Sequence, residues 1–422
     1  MLETNTVKSL ITFHGLSLAL AIAPTPSNAT GLTTLHQFTG GADGAIIYKG
    51  PTRDEAGNLY GEAFYGANAC PDSYLYAGVG CGVIWKLDTA NNFSTLVTFT
   101  GTNGADPYGN IALRGDYIYD TTYTGGSANL GTILRVKKDG TDFKTVYIFT
   151  NANNGEHPDS ILRFVGDVAY STAPYGGKGF TGADSTGNGV LFQLTSAGVY
   201  NVAHYFTGGA DGGLPQRPFL HEQTKTLFGS TTYGGSCSAV TAGCGVVYSY
   251  NPLTQSFKVL YTFTGTSDGS DPRLAGVLEN GEVYGATVNG GAKGYGTLFK
   301  LTPGKNGGYT YTHLYDFTGG ADGGNPLNPA LLPSGELIGG TSAGGSAGAG
   351  VLWDFKNGKF TTLNTFLNDA NGGYPFGTPV VGESGVIYGT AAYGGISPCY
   401  TAAQPPILIS SYGCGTVYRY TP

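Results

Sequence analysis

The chain has 422 residues, of which only 12% are charged, with a formal net charge of −7, 72 glycines and 30 tyrosines. Charge at about half the usual share, with no run of Lys or Arg, excludes a phosphate-gripping face for nucleic acid and a polybasic patch for anionic lipid. What is left is a neutral, hydroxyl-rich, aromatic surface suited to uncharged or weakly charged partners.

In chain order, the first 29 residues predict a secretory signal peptide. Lys8 precedes an apolar run from Leu10 to Ala23, and Ser27-Asn28-Ala29 supplies small residues for a cut after Ala29. That run is too short to cross a bilayer. No later stretch is long and apolar enough to do so either. The expectation is a chain exported to the periplasm, the cell surface or the medium, with residues 30–422 forming one domain. That length exceeds one ordinary core but suits repeats, because each unit packs only on its neighbours.

Seven copies of one pattern follow. An aromatic strand ends in Phe at Phe38, Phe99, Phe149, Phe206, Phe263, Phe317 and Phe366. After each Phe come a Gly-rich turn, a strand with a Tyr-Gly-like pair, a Gly-Gly loop, and a strand opening Gly-Val or Gly-Thr. Spacings near 50–60 residues mark a repeat architecture. In the fourth copy, Gly189 to Leu194 and Val199 to Phe206 read as two strands around a tight turn. Phe219 to Glu222 and Lys225 to Thr232 read as two more. Four strands in each of seven copies predict an all-β, seven-bladed β-propeller of four-stranded antiparallel blades. The segment Leu32–Phe38 matches the second strand of a copy, and Gly415–Tyr420 matches the first. The two ends therefore complete one shared blade and close the ring. Strand parity puts the Phe-Thr-Gly-Gly turns and the Tyr-Gly-Gly loops on the same face. Function concentrates on loops held by a rigid scaffold, so this long-loop face is the expected binding face.

Six cysteines fall as close pairs in equivalent loops of that face: Cys70 with Cys81, Cys237 with Cys244, Cys399 with Cys414. In an exported chain this predicts three local disulfides. Zinc would need further His or Cys partners at short spacing, and none is present.

The copies resemble the GloVer-type tandem repeat of exported bacterial proteins. The resemblance rests on Leu314-Tyr315-Asp316-Phe317-Thr318-Gly319-Gly320-Ala321-Asp322-Gly323-Gly324-Asn325-Pro326. It continues in Leu227 to Gly235 and in Gly296 to Leu301, and it covers nearly all of residues 30–422. It implies a propeller-like exported protein and brings no catalytic residue with it. The first three copies drift from the pattern.

Three slots carry candidate chemistry. Five residues after Phe stand Asp43, Asn154, Asp211, Asp268, Asp322 and Asn371. These predict side chains that bond their own turn. A Ca²⁺ site in some blades is the sharper alternative, although the sequence offers no dense Asp cluster for it. The residue before the turn's proline varies, with Asp106, His157, Leu214, Asp271, Asn325 and Tyr374, and Asp159, Arg217 and Arg273 follow the proline. Such a ring of unlike polar groups is either a ligand mouth or solvated decoration. The slot before Gly-Gly holds Tyr65, Tyr175, Tyr233 and Tyr393, which either stack on sugar rings or pack on the next blade.

The preferred expectation is an exported propeller that binds a neutral or acidic extracellular glycan through Asp106, Asp271, Asn325, Tyr374 and the four tyrosines. The enzymatic alternative is a polysaccharide lyase working by β-elimination on a uronic acid. There His157 would be the base, Arg217 or Arg273 would neutralise the carboxylate, and a tyrosine would be the acid. A third alternative is a structural cell-surface repeat protein.

Overall fold

The computed structural model describes residues 31–67, 70, 78–178, 187–237, 243–401 and 407–422. The expected signal peptide, residues 1–29, lies outside them. Seven four-stranded antiparallel sheets are arranged as the blades of a closed propeller. Blade one consists of Thr52–Arg53, Leu59–Ala63, Val83–Leu87 and Phe93–Thr98, in that order from the axis outward. Blades two to six repeat this plan. The first strands of blades three to six touch one another in turn around the axis. Blade seven is composite. Val380–Val381, Ile387–Ala391 and Thr416–Thr421 come from the C-terminal end, and Gly31–Gln37 from the N-terminal end is its outermost strand. The register runs from Gly31 opposite Thr421 to Gln37 opposite Thr416, so the ring shuts through backbone hydrogen bonds.

The sequence repeat and the blade are offset by two strands. The fourth copy's first pair, Val190–Thr195 and Tyr200–Tyr205, belongs to blade three. Its second pair, Phe219–His221 and Thr226–Tyr233, belongs to blade four. Each copy therefore straddles a junction, and its landmarks are junction residues. All seven landmark Phe side chains are buried. Six face an aromatic ring of the next blade's third strand at 5.1–6.0 Å, for example Phe38 on Trp85 and Phe263 on Phe299. Phe99 packs instead on Leu134. In five blades a glycine of the second strand lies under that ring. A Cβ on Gly61 would come within 2.2 Å of Trp85, and one on Gly389 within 2.3 Å of Tyr418.

Each junction is also tied by one backbone hydrogen bond. The residue before the turn's proline donates its N–H to the residue preceding the Gly-Val/Thr pair of the blade before. Examples are Asp106 to Cys81 (3.0 Å), His157 to Leu130 (2.9 Å) and Tyr374 to Ala349 (2.7 Å). That slot has φ between 52° and 60° in all seven blades, even where Ile46 occupies it. Left-handed backbone at a β-branched residue is costly, and the junction bond offsets the cost.

The parity expectation holds. The Gly-Gly loop of every blade donates one N–H to the Phe turn entering the same blade, at 2.7–2.9 Å, as in Gly126 to Gly101 and Gly345 to Gly320. Both loop sets therefore share one face. The disulfides Cys70–Cys81, Cys237–Cys244 and Cys399–Cys414 all form on it. The third encloses a small ribbon, Cys399–Tyr400 with Leu408–Ser410, which the sequence pattern does not signal.

Candidate functional site

The turn aspartates serve structure. Asp43 accepts from the Thr39 N–H and from His36 Nε2 at 3.1 Å. Asp268 accepts from the Thr264 N–H and the Tyr261 hydroxyl at 2.9 and 3.0 Å. Asp211 and Asp322 repeat the arrangement with Thr207 and Thr318. Their oxygens are taken up inside the turn, which is the structural reading of this slot. Among the described residues, no three His, Cys, Asp or Glu side chains gather as metal ligands.

The variable slot before proline grips the neighbouring strand or blade. Buried Asp106 accepts from Thr124 Oγ1 at 2.6 Å. Asp271 pairs with Arg273 at 2.9 Å. Asn325 donates to the Val288 carbonyl at 2.9 Å. Tyr374 meets Tyr393 edge-on at 5.6 Å. His157 stacks on Tyr123 at 4.7 Å and donates from Nδ1 to the Tyr123 carbonyl at 2.7 Å. Burial lowers the pKa of this imidazole against the raising effect of that bond.

Two residues further along, just after the proline, the side chains turn to the axis. They line a funnel. Its upper compartment, about 460 Å³, lies where the second strands enter the long-loop face. Tyr48, Phe64, Tyr108, Tyr123 and Tyr175 form one wall, and Asp159, Gln216, Thr232 and Arg273 form the other. The aromatic wall is a chain of edge contacts, with Tyr48 on Phe64 at 5.4 Å and on Tyr108 at 5.6 Å. Burial raises the pKa of the Tyr48 and Tyr108 hydroxyls, so both stay protonated as donors. A deeper compartment of about 260 Å³ shares Tyr48, Tyr108, Asp159, Gln216 and Arg273. It adds Lys49, Arg217, Asn328 and Phe376, so residues from all seven blades meet there.

The deep cations are held by backbone and rings. Lys49 Nζ lies 3.8 Å from the centre of the Tyr108 ring and donates to the Asp159 carbonyl at 3.1 Å. Burial lowers its pKa, while Asp159 and Glu62 pull the other way. Arg217 donates to the carbonyls of Leu274 (3.3 Å) and Pro329 (3.2 Å) and to Thr378 Oγ1, which ties four blades together. Arg273 holds Gln216 and Asp271. Burial raises the Asp159 carboxyl despite Lys49 and Arg273 nearby.

Of the residues expected from sequence, Arg217, Arg273 and Tyr175 come together at this funnel. Tyr393 and Tyr374 stand at its edge, with the Tyr393 hydroxyl 3.4 Å from that of Tyr48. His157 stands behind Tyr123 rather than on the lining. Tyr233 bonds Asn188 of the preceding blade at 2.8 Å, and Tyr65 is buried against Phe64 at 4.7 Å.

A family model described as the Gloeobacter/Verrucomicrobia repeat matches residues 22–242 and again 237–422. The chain belongs to this repeat family. Within the Gloeobacter/Verrucomicrobia repeat, the two matches meet in blade four, so neither is a separate domain of the ring. Over 339 residues the chain is 24% identical to outer membrane protein B of Rickettsia japonica, spanning 67% of this chain but only 20% of that protein. The extracellular domain of a hybrid two-component system from Bacteroides thetaiotaomicron superposes with a TM-score of 0.54 at 12% identity, covering 93% of this chain and 40% of that one. A protein assigned as a 6-phosphogluconolactonase from Bacteroides uniformis superposes with a TM-score of 0.50 at 14% identity, covering 82% and 96%. Such identities show the shared fold. The disulfides, the outer-membrane relative and the extracellular neighbour all fit an exported protein. Among the described residues, no helix is long and apolar enough to cross a membrane.

Within this repeat family member, sequence reasoning missed Lys49, Tyr48 and Tyr108. Tyr48 and Lys49 follow Ile47, where all six other copies carry proline, so a proline landmark passes over them. It also missed Glu62 and Asp120, buried acids on the second strands of blades one and two. Glu62 Oε1 accepts from the Asn110 N–H at 3.2 Å. The two carboxyls face each other, and burial raises both pKa values. Glu62 Oε2 and Asp120 Oδ2 are buried with no other donor among the described residues, where a proton between the two carboxyls would satisfy both.

Proposed function

We propose that this protein is an exported receptor for an extracellular glycan, processed after Ala29 and binding its ligand in the axial funnel. The supporting observation is the division of the upper compartment: an aromatic wall of Tyr48, Phe64, Tyr108, Tyr123 and Tyr175 opposite the polar groups of Asp159, Gln216 and Arg273. A sugar ring has apolar C–H faces and an equator of hydroxyls. It stacks on the first wall and exchanges hydrogen bonds with the second. The compartment is large enough for a small ligand, and most of its lining residues flank the inner strands of the blades, with Tyr123, Thr232 and Arg273 on the strands themselves. The rim residues Tyr374 and Tyr393 would extend contact along the chain of sugars.

The test is a glycan array probed with the purified chain. Selective binding is expected, and Tyr108→Ala should weaken it by about tenfold or more, as loss of a stacking ring does. Uniform silence on the array, or binding untouched by Tyr108→Ala, would contradict the reading.

A second reading has one observation in its favour, namely that Arg273, two protonated tyrosines and Lys49 share the funnel. In β-elimination a base removes the C5 proton of a uronate, the electron pair forms the C4–C5 double bond, and the C4–O bond breaks. A tyrosine hydroxyl returns a proton to the leaving oxygen. Arg273 would neutralise the carboxylate, with Lys49 nearer than His157 for the base role. Ultraviolet absorbance of an unsaturated uronate product selects this reading, and binding without product selects the receptor.

A further inference from the structure

We propose that the deep compartment of the funnel is a carboxylate subsite, so the ligand carries an acidic sugar whose carboxyl group enters below the aromatic wall. This rests on the glycan reading and specifies its substrate class. Three cations, Lys49, Arg217 and Arg273, line the compartment, against the single carboxylate of Asp159. Their donors exceed their acceptors. The Lys49 ammonium has three N–H groups and one acceptor, the Asp159 carbonyl, among the described residues. The Nε–H groups of Arg217 and Arg273 are buried with no acceptor among the described residues. A buried donor without an acceptor is costly, and three cations sharing one cavity repel one another. An entering carboxylate answers both problems. It carries negative charge and two oxygens that accept from guanidinium and ammonium together.

Neighbouring acids offset only part of this charge. Asp271 is bonded to Arg273 and lies outside the lining. Asp159 is pushed towards its neutral form by burial. Glu62 and Asp120 face each other behind the lining, and burial pushes both towards their neutral forms. The rest of the deep wall is neutral, with Asn110, Ser160, Gln216, Asn328 and Phe376. A methyl ester or a neutral hexose can accept hydrogen bonds there but brings no negative charge to the three cations.

Calorimetric titration of the full chain tests this with four probes: oligogalacturonate, its methyl ester, the matching neutral galacto-oligosaccharide, and acetate. The acid should bind about tenfold or more tighter than the ester and the neutral sugar, a factor typical of a charge-assisted hydrogen bond. Lys49→Met, which keeps the apolar stem, should reduce the acid to the level of the ester. Arg273→Met is the second variant if Lys49→Met fails to fold, as judged by thermal melting. Equal binding of acid and ester would overturn the carboxylate subsite while leaving the glycan reading standing. Acetate matching the oligosaccharide would support the anion subsite and sink the glycan reading. Silence of all four probes would overturn the proposal.

Discussion

Asp120 stands where five blades carry the glycine that lies under an aromatic ring. In blade two Leu134 stands opposite, and the smaller side chain leaves space for a carboxyl. Glu62 takes a slot held by small residues such as Ser230, Ala286 and Thr390 in other blades. Both departures are in the sequence, but only the ring brings blades one and two side by side, so their pairing was not legible there. Their pKa values are raised in the fold. The folded state therefore retains protons that the unfolded chain releases above about pH 4. The stability they contribute is present at acid pH and is lost as pH rises through the folded values. Lys49, facing Glu62, softens that loss, and the N–H groups of Asn110 and Thr121 do the same. Glu62→Gln replaces the shared proton with an amide donor. It should gain about 1 kcal/mol or more over the parent in urea melts near pH 8, and little or nothing near pH 4. A stability difference independent of pH would show that the two acids do not share a proton. The same limit hid Lys49. Its position after Ile47 is readable, but its reach to the Asp159 carbonyl, two blades away, depends on the curvature of the ring.

Landmarks were legible at the level of strand and turn because each junction makes the same demand seven times. A buried Phe, a left-handed residue before proline and a glycine opening the third strand recur because the next blade leaves no alternative. The blade boundary was not legible, since a copy read from Gly-Val to Tyr-Gly-Gly looks like one sheet until the hydrogen bonds divide it. Gly245 illustrates the constraint. Its φ is +88°, and a Cβ there would come within 2.2 Å of the Thr231 carbonyl and 2.6 Å of the Pro272 ring in blade five. Gly245→Ala should cost about 2 kcal/mol or more in unfolding free energy through strain and displaced backbone. Gly358→Ala, in a turn with nothing near the added methyl, is the control for positive φ alone. Equal cost at both positions would show that blade contact plays no part.

The whole molecule is a ring whose ends share blade seven, and the ring gives the funnel its location. Parity foretold that the Phe turns and the Gly-Gly loops share one face. The candidate site lies two residues beyond the expected ring of side chains before proline. The residues before proline turn back to latch the preceding blade, and those after it reach the axis. That alternation follows from strand geometry, but the left-handed residue resets its phase, and its φ is not written in residue types that range from Ile46 to Tyr374. The exposed Tyr400, Leu408 and Tyr412 of the disulfide-bound ribbon add an apolar rim beside Tyr393. The most direct measurement is a titration of tyrosine-labelled protein with the best glycan from the array, followed by ring resonances assigned through single Tyr→Phe substitutions. Tyr48, Tyr108, Tyr123 and Tyr175 should shift together along one binding curve, while Tyr309 and Tyr311 on an outer strand stay still. Shifts confined to outer-strand or rim tyrosines, with Tyr48 and Tyr108 unmoved at saturation, would contradict the axial site.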